Sequence, residues 1–169
     1  MHTTTVTSPL GPLTIVASDA GLTRCTLRPV RPGSRPAGPD TGPAAATWLE
    51  LAHHELDGYF AGTLREFTVP VDLSRVEQPH RRILEALSAV GYGDTTTYGA
   101  LATRLGLLED GPRTVGAAMA RNPVLIIVPC HRVLGAGGRL TGYAGGLPAK
   151  RHLLDLEGAP TAHQLTLIP

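Results

Sequence analysis

The residues most able to do chemistry are grouped in one short stretch, Pro129-Cys130-His131-Arg132. Three β-branched residues, Ile126–Val128, precede it and predict a short buried strand. That strand should stop at the proline, which fixes its own φ and donates no backbone hydrogen bond. The cysteine then lies at the mouth of a rigid element. A neighbouring base and a fixed positive charge favour a thiolate over a thiol, so the stretch predicts a nucleophilic cysteine.

The remaining cysteine and the histidines predict no further chemistry. Cys25 falls in the alternating run Leu22–Leu27 and is expected to be a small buried hydrophobic residue. Two cysteines in unlike settings indicate neither a disulfide framework nor a zinc site. His53 and His54 are adjacent on a predicted helix and point in different directions, which favours surface histidines over metal ligands. No metal and no cofactor are therefore predicted.

The composition is that of a soluble globular protein with one ordinary domain or two small ones. The chain has 169 residues, of which 42% are hydrophobic and 17% charged. The apolar runs are too short for a membrane span and the first residues do not resemble a signal peptide, so we expect a cytoplasmic protein without membrane association. Residues 74–151 carry ten Lys and Arg against five Asp and Glu, whereas the whole chain has a net charge of +1. This basic segment suits a polyanionic partner.

The order of the predicted elements indicates the α+β class and a division into residues 1–73 and 74–169. The N-terminal part is expected to be a small α/β unit with an antiparallel sheet, and nothing in it suggests chemistry. Its predicted elements are strands at Thr3–Thr7, Leu13–Ser18, Leu22–Leu27 and Phe67–Leu73, a Pro- and Gly-rich connector at residues 28–46, and a helix from a Thr47 cap to about Ala61.

The C-terminal part is expected to be mainly helical, with a final tail. Its predicted helices are one through Ile83–Val90, one at Tyr98–Leu105 capped by Thr97, one from Pro112 to about Ala120, and a last one at Leu147–Glu157. The second and third, joined by a tight turn, form a helix-turn-helix. Small residues along its second helix allow close approach to a groove floor, or equally permit tight helix packing. A glycine-rich loop, Leu140–Gly146, surrounds Tyr143.

Three groups of residues resemble the O6-alkylguanine-DNA alkyltransferases: Asn122-Pro123, the Pro129–Val133 run and Gly142-Tyr143-Ala144-Gly145-Gly146. The resemblance is close from about Tyr92 to Gly158 and looser before it. It implies a DNA-repair protein that moves an alkyl group from a damaged guanine onto one cysteine, which is not regenerated. It also implies that the damaged nucleotide is flipped out of the duplex and that the second helix of the motif enters the minor groove.

The resemblance implies catalytic roles for five residues. Cys130 would be the acceptor, His131 the base acting through a water, and Glu157 the residue that orients His131. Asn122 would brace the turn before the acceptor. Tyr98 would donate a hydrogen bond toward the edge of the guanine.

It also implies a substrate pocket and a DNA-binding surface. The pocket would comprise Val133, through its backbone carbonyl, with Tyr143, Ala144 and Gly145. The DNA-binding residues would be Arg113, Thr114, Gly116, Ala117, Ala118, Arg121 and Arg132. Among them, Arg113 would fill the gap left by the flipped base.

Some positions depart from the family pattern. Pro79-His80 stands where a Phe-Gln pair is usual, Leu84 replaces a common tryptophan, and Gly91 replaces a proline. These are packing positions, expected to affect stability rather than chemistry. Ala144 stands where some members have serine, which bears on the range of alkyl groups accepted. Glu109-Asp110 places two negative charges just before the helix that should approach phosphates.

Three functions remain open from the sequence. The first is alkyl transfer from O6-alkylguanine in double-stranded DNA to Cys130, with O4-alkylthymine as a second candidate lesion. The second is a lesion-binding protein of the same fold without chemistry, although such relatives lack the acceptor cysteine. The third is a cysteine hydrolase, which is geometrically awkward for Cys130 and His131 because adjacent strand residues point to opposite faces. A monomer is expected, with cooperative binding along DNA as an alternative.

Overall fold

The computed structural model describes residues 2–27, 42–107 and 109–160. The chain forms two compact units, and the α+β class is confirmed. Met1–Arg75 and Pro123–Ile127 make up the first unit, and Val76–Asn122 and Val128–Pro169 the second. The predicted division did not anticipate that the short segment Pro123–Ile127 belongs to the first unit. Most of the predicted connector, residues 28–41, and most of the predicted tail, residues 161–169, lie outside the described residues.

The first unit contains a three-stranded antiparallel sheet and one long helix. Strands β1 (His2–Val6), β2 (Leu13–Ser18) and β3 (Gly21–Thr26) lie in chain order, which confirms the predicted meander. The central strand is buried along almost its whole length because it has neighbours on both sides and apolar side chains on both faces. Helix α1 spans Ala44–Phe60. The core of this unit includes Leu13, Ile15, Leu22, Cys25, Leu49, Leu56 and Tyr59.

Helix α1 begins earlier than predicted, and the expected cap Thr47 lies inside it. The side chain of Asp19, in the turn between β2 and β3, accepts the N–H of Gly42 at 2.9 Å and that of Ala45 at 3.3 Å. The backbone carbonyl of Asp19 also accepts the indole N–H of Trp48 at 2.9 Å. The helix start is therefore capped by a residue far away in sequence, which a local pattern does not indicate.

The predicted strand at Phe67–Leu73 is wrong except for one residue pair. Val71 forms a single parallel bridge with Leu22. The N–H of Leu22 donates to the Pro70 carbonyl at 2.8 Å, and the N–H of Asp72 donates to the Leu22 carbonyl at 2.8 Å. The segment thus lies against β3 without forming a strand of its own.

The second unit is mainly helical, as predicted. Its elements are α2 (His80–Glu85), a 3-10 helix (Ala86–Ala89), β4 (Thr96–Thr97), α3 (Tyr98–Arg104), α4 (Gly111–Ala120), a second 3-10 helix (Cys130–Arg132), β5 (Val133–Leu134), a third 3-10 segment (Ala136–Gly138) and α5 (Leu147–Leu156). Strand β4 pairs in parallel with β5, so the start of α3 lies beside the residues that follow the second 3-10 helix. Leu84, one of the departures from the family pattern, is buried in this unit.

Helices α3 and α4 form the predicted helix-turn-helix. The hydroxyl of Thr97 accepts the N–H of Ala100 at 3.1 Å, which confirms the predicted cap of α3. Gly106 adopts φ +68°, as expected of a residue that ends a helix. The start of helix α4 packs closely against α3. A Cβ added at Gly111 would lie only 2.9 Å from Cβ of Ala102. Local sequence signals and one glycine contact therefore fix the motif.

The predicted strand at Ile126–Val128 is wrong, and a tight turn stands in its place. Ile126 adopts φ +74°, in the left-handed region, where a β-branched side chain is strained. The N–H of Ile127 donates to the Leu125 carbonyl at 2.9 Å, which closes a three-residue turn. Ile126 is buried, so the pattern detected burial correctly. A short apolar run does not by itself distinguish a strand from another buried conformation.

Neither a membrane span nor a group of metal ligands is found in the described parts of the chain. No helix there is long and apolar enough to cross a bilayer. Across the same residues, no three His, Cys, Asp or Glu side chains are grouped so that they could hold a metal ion. His53 lies exposed on α1, 3.6 Å from Asp57.

Candidate active site

Cys130 begins the second 3-10 helix and is held by the chain just before it. Its N–H donates to the Val128 carbonyl at 2.8 Å, in a turn centred on Pro129. The side-chain amide of Asn122 donates to the same carbonyl at 3.0 Å and to the sulfur of Cys130 at 3.0 Å. Asn122 therefore hydrogen-bonds both the turn and the sulfur of Cys130. Cys130 is 2% exposed, so its side chain is buried.

The surroundings of Cys130 favour the protonated thiol in this structure. Burial raises the pKa of Cys130 to about 11, and the hydrogen bond from Asn122 and the charge of Lys150 offset the effect only in part. Of the two groups expected to favour a thiolate, a base and a positive charge, the positive charge does not offset the effect of burial. Cys25, which lacks such partners, has its pKa raised by burial to about 12 and is fully buried, as predicted. A reaction at Cys130 consequently needs a base.

His131, Arg132 and Glu157 form one buried network beside the cysteine. Nε2 of His131 lies 2.9 Å from Oε1 of Glu157. Arg132 donates through Nε to Oε2 of Glu157 at 2.9 Å and through Nη2 to Oε1 at 2.9 Å, a two-pronged arrangement typical of strong arginine–carboxylate pairs. A third nitrogen of Arg132 donates to the Val90 carbonyl at 2.6 Å. The side chains of His131 and Glu157 are fully buried.

This network sets the protonation of His131. A carboxylate only accepts hydrogen bonds, so Nε2 carries the proton and Nδ1 keeps its lone pair. Nδ1 is buried, and no described residue donates a hydrogen bond to it. Burial lowers the pKa of His131, Glu157 raises it in part, and the charge of Arg132 lowers it again. The imidazole is thus neutral near pH 7 and presents an acceptor atom, which is the state of a general base.

Lys150 is a buried residue of this site that the sequence pattern did not indicate. Its ammonium donates to the Val133 carbonyl at 2.6 Å and to the Thr141 carbonyl at 2.7 Å. Burial lowers the pKa of Lys150 to about 8, although the nearby Cys130 raises it in part. The lysine ties β5 to the start of the glycine-rich loop. Its spacing from Leu153 and Leu154 on one helical face was the signal that could have revealed its burial.

The predicted pocket residues lie on β5 and in the glycine-rich loop. Val133 is buried and its carbonyl is directed at Lys150. Tyr143 is half-buried, with its ring edge-on to that of His131 at a centroid distance of 6.4 Å. Ala144 is exposed and Gly145 half-buried in the turn that leads to α5. The structure therefore brings Tyr143 and Val133 close to the site, and leaves Ala144 at its surface.

The predicted DNA-binding residues of α4 divide by exposure. Arg113 is exposed at the start of the helix, and Thr114, Gly116 and Ala117 are half-buried along it. Arg121 is exposed at its end. The half-buried ring of Tyr98 lies beside this helix, since a Cβ at Gly116 would lie 4.0 Å from it. These residues present an accessible helix face with small side chains.

Two of the predicted DNA contacts are corrected by the structure. Ala118 is fully buried, so it packs in the interior and the alternative reading of a small residue for helix packing holds there. Arg132 is 7% exposed, and its guanidinium is bound to Glu157 and to the Val90 carbonyl. It belongs to the histidine network rather than to a DNA-binding surface. Sequence position next to Cys130 did not distinguish these two roles.

The second unit thus combines a helix-turn-helix with a buried cysteine and, in the next position, a buried histidine bound to a glutamate. Two family models match the chain. Residues 78–159 match the 6-O-methylguanine DNA methyltransferase DNA-binding domain, and residues 1–73 match the ribonuclease-like domain of the same proteins. The chain belongs to the 6-O-methylguanine DNA methyltransferase family.

Individual relatives resemble the chain over nearly its full length. It is 41% identical to the methylated-DNA–protein-cysteine methyltransferase of Mycobacterium bovis, over 99% of this chain and 98% of the relative. It is 39% identical to a DNA base-flipping protein of Thermus thermophilus, over 90% of this chain and 97% of the relative. The crystal structure of Mycobacterium tuberculosis OGT in complex with DNA superposes with a TM-score of 0.78 at 42% identity, covering 98% of this chain and 99% of the other.

Proposed function

We propose that the protein repairs O6-alkylguanine in double-stranded DNA by transferring the alkyl group to Cys130. The damaged nucleotide is flipped out of the duplex, and each protein molecule reacts once. The observation that carries this proposal is the state of His131, whose Nε2 lies 2.9 Å from Oε1 of Glu157 while the buried Nδ1 accepts no hydrogen bond from a described residue. A neutral base in the residue that follows a protonated, buried thiol supports transfer to that sulfur.

The general activity follows from membership of the family. The protein is a DNA-repair methyltransferase whose acceptor is a cysteine of the protein itself. Relatives at 41% identity carry the name methylated-DNA–protein-cysteine methyltransferase. Cys130 is the better candidate for the acceptor, because Cys25 is fully buried in the first unit and no group among the described residues offsets the effect of that burial on its pKa.

Deprotonation of Cys130 is the first chemical step of the proposal. A water between Sγ and Nδ1 of His131 takes the thiol proton and passes one to the imidazole. The imidazolium that forms is stabilised by the carboxylate of Glu157. Arg132 neutralises that carboxylate in the resting protein, so His131 is not protonated too early. Lys150 offers a positive charge to the emerging thiolate.

Transfer of the alkyl group then proceeds by substitution at carbon. The thiolate forms an S–C bond as the C–O6 bond breaks, and the electron pair leaves with guanine, which takes up a proton. Hydrogen-bond donors such as the hydroxyl of Tyr98 stabilise the charge on the leaving purine, as an oxyanion hole does. The product at Cys130 is a thioether. Since no group in the site could cleave a thioether, the protein is consumed.

Recognition of the base uses the pocket at β5 and the glycine-rich loop. The carbonyl of Val133 has two lone pairs, and Lys150 occupies one of them at 2.6 Å. The other accepts the exocyclic amine of the guanine. Tyr143 lies beside His131 and forms a wall of this pocket. O4-alkylthymine, which has no such amine, would be a poorer lesion.

Binding of the duplex uses the exposed face of α4. Small side chains suit the narrow minor groove, and Arg113 replaces the flipped nucleotide in the stack, offsetting part of an unstacking cost of a few kcal/mol. The partner is thus DNA, bound by a single protein molecule or by several along one duplex. A cytoplasmic location is part of this proposal, since a protein that repairs chromosomal DNA must have access to it.

A second candidate function is lesion binding without chemistry, favoured by the likeness to the base-flipping protein of Thermus thermophilus. Repair by transfer and lesion binding differ in the number of lesions removed per protein molecule. A limiting amount of protein is mixed with excess duplex containing O6-methylguanine, and the lesions that remain are counted. Repair by transfer stops at one lesion per protein and vanishes in Cys130→Ser. Binding alone removes none, and hydrolytic turnover would pass one equivalent.

A further inference from the structure

Asp110 and Arg113 form an ion pair at the start of α4. Nη1 of Arg113 lies 3.1 Å from Oδ1 of Asp110, and the two side chains are 86% and 71% exposed. Asp110 stands directly before the helix, yet its side chain caps no backbone N–H there. The carboxylate is therefore available to the arginine. It lies where a negative charge is unfavourable beside DNA phosphates.

Hydrogen bonds and packing hold the backbone around this pair. Asp110 adopts φ +50°, a conformation that aspartate and asparagine tolerate better than most residues. Its carbonyl accepts both the N–H of Thr114 at 2.9 Å and the hydroxyl of the same residue at 3.2 Å. Gly111, the next residue, is packed against α3. The fold thus holds the backbone that carries the Asp110 carboxylate, and Arg113 lies one helical turn further on.

We propose that Asp110 is a positioning residue for Arg113: it holds the arginine at the helix start until the duplex displaces it. This inference rests on the proposed function, in which Arg113 enters the stack in place of a flipped nucleotide. Arg113 cannot pair with Asp110 and fill that gap together. DNA binding must therefore exchange one contact of the arginine for another, and Asp110 lowers the affinity for every duplex into which Arg113 inserts. Asp110, an acidic residue that is unexpected beside DNA, thereby gains a role.

The test is a double-mutant cycle for DNA binding, performed in the Cys130→Ser protein so that no chemistry occurs. The variants are Asp110→Asn, Arg113→Ala and the combination. Asparagine keeps the left-handed backbone and the carbonyl bonds to Thr114, so only the charge is lost. The control is Glu109→Gln, which removes a charge from the same exposed turn; no ion pair joins Glu109 to Arg113 among the described residues. Affinity is measured for duplexes with and without O6-methylguanine.

We expect Asp110→Asn to tighten binding about two- to fivefold more than Glu109→Gln does, as suits an exposed ion pair. In the Arg113→Ala background, the gain in affinity from Asp110→Asn should fall to the gain that Glu109→Gln gives. A 2-aminopurine probe next to the lesion should report more flipped nucleotide in Asp110→Asn. Equal gains from both charge removals, or the same gain with and without Arg113, would overturn the proposal, because Asp110 would then act only by repelling phosphates. Weaker binding by Asp110→Asn would also overturn it.

Failure of this proposal and failure of the proposed function give different results. If methyl transfer to the wild-type protein proceeds while the cycle shows no coupling, only the role of Asp110 is lost. If no transfer occurs at all, the function itself is wrong, whatever the cycle shows.

Discussion

The pKa of Cys130 is subject to two opposing effects. Burial holds its pKa at about 11, whereas Asn122 and Lys150 favour the thiolate. In the proposed reaction, this resting thiol reacts little with other electrophiles and becomes a nucleophile only when His131 takes its proton. The proposed transfer thus depends on a neutral imidazole.

The pH dependence of transfer follows from the lowered pKa of His131. Protonation of Nδ1 removes the base, and because burial lowers this pKa, the rate should fall only below pH 6.5, the ordinary value. We expect the rate of methyl transfer to a wild-type protein to stay level from about pH 6.5 to 7, below the pKa of about 8 at which Lys150 loses its charge. Rapid-quench measurements with saturating duplex would show it. Binding by Cys130→Ser over the same range controls for DNA affinity, and a midpoint above 6.5 would contradict the assignment.

Glu157→Gln should damage both the stability and the reaction. The change leaves the buried guanidinium of Arg132 without its carboxylate, which costs about 3–5 kcal/mol of unfolding free energy. It also removes the charge that stabilises the imidazolium of His131, so transfer should slow by roughly 100-fold or more. Urea unfolding and single-turnover rates measure the two effects.

The matched control for Glu157 is Glu55→Gln in the first unit. Glu55 is a buried carboxylate whose hydrogen-bond donors within the described parts of the chain are neutral groups of Thr68 and Val69. Its replacement should cost about 1–3 kcal/mol and leave the transfer rate unchanged. A comparable loss of rate in both variants would mean that stability, not the histidine network, explains the effect of Glu157→Gln.

The candidate residues for chemistry were predictable because they are adjacent in sequence and of suitable types. The groups that they contact were not predictable. Cys130, His131 and Arg132 are adjacent in sequence, and Glu157 entered only through the family resemblance. The sequence did not separate an arginine that neutralises a buried carboxylate from one that binds phosphate. Nor did it indicate that Lys150 lies inside the protein, since lysine is rarely buried without partners. Those partners are backbone carbonyls, which carry no sequence signature.

Helices α3 and α4 were predictable because their ends are determined by nearby residues. Thr97 caps α3, Gly106 ends it, and a proline stands in the first turn of α4. The turn at Ile126 was not predictable in the same way. Its positive φ contradicts the preference of a β-branched residue, so the surrounding structure imposes it. Strain of this kind is common near functional sites.

Gly111→Ala tests the close contact between α3 and α4. The new methyl would lie 2.9 Å from Cβ of Ala102 and 3.3 Å from Cβ of Leu107, so the helices must separate. We expect a loss of about 1–3 kcal/mol in unfolding free energy and weaker DNA binding. In Gly99→Ala the methyl would meet only the Thr97 hydroxyl at 3.9 Å, so this change should be neutral or stabilising by up to about 1 kcal/mol. Equal effects would show that the contact is not tight.

Helix α1 depends on a cap that lies 23 residues or more before it in sequence. Asp19→Ala removes the acceptors for the N–H groups of Gly42 and Ala45, and should cost about 0.5–2 kcal/mol. Thr47→Ala, at the position that the sequence favoured as the cap, should be neutral or slightly stabilising because alanine is the better helix former. Thermal unfolding of the two variants distinguishes them. A larger loss in Thr47→Ala would restore the original prediction.

The fold class of the whole molecule was predicted correctly, but the assignment of one segment to the first unit was not. Strand alternation, helical periodicity and turn residues indicated a small sheet unit followed by a mainly helical one. The inclusion of Pro123–Ile127 in the first unit depends on long-range backbone pairing, such as the N–H of Cys25 donating to the Pro123 carbonyl at 2.9 Å. Pairing between distant segments leaves no periodic trace in a single sequence. The basic balance of residues 74–151 remained a sound guide to the kind of partner.

The most direct measurement is the location of the transferred group on the protein. The wild-type chain is incubated with duplex DNA containing O6-methylguanine, digested, and both cysteine peptides are weighed by mass spectrometry, with Cys130→Ser as the reference. We predict one additional methyl group on the peptide of Cys130, none on that of Cys25, and an unchanged mass for Cys130→Ser. An unmodified Cys130 under saturating substrate, or a methyl group on Cys25, would contradict the assignment of the acceptor.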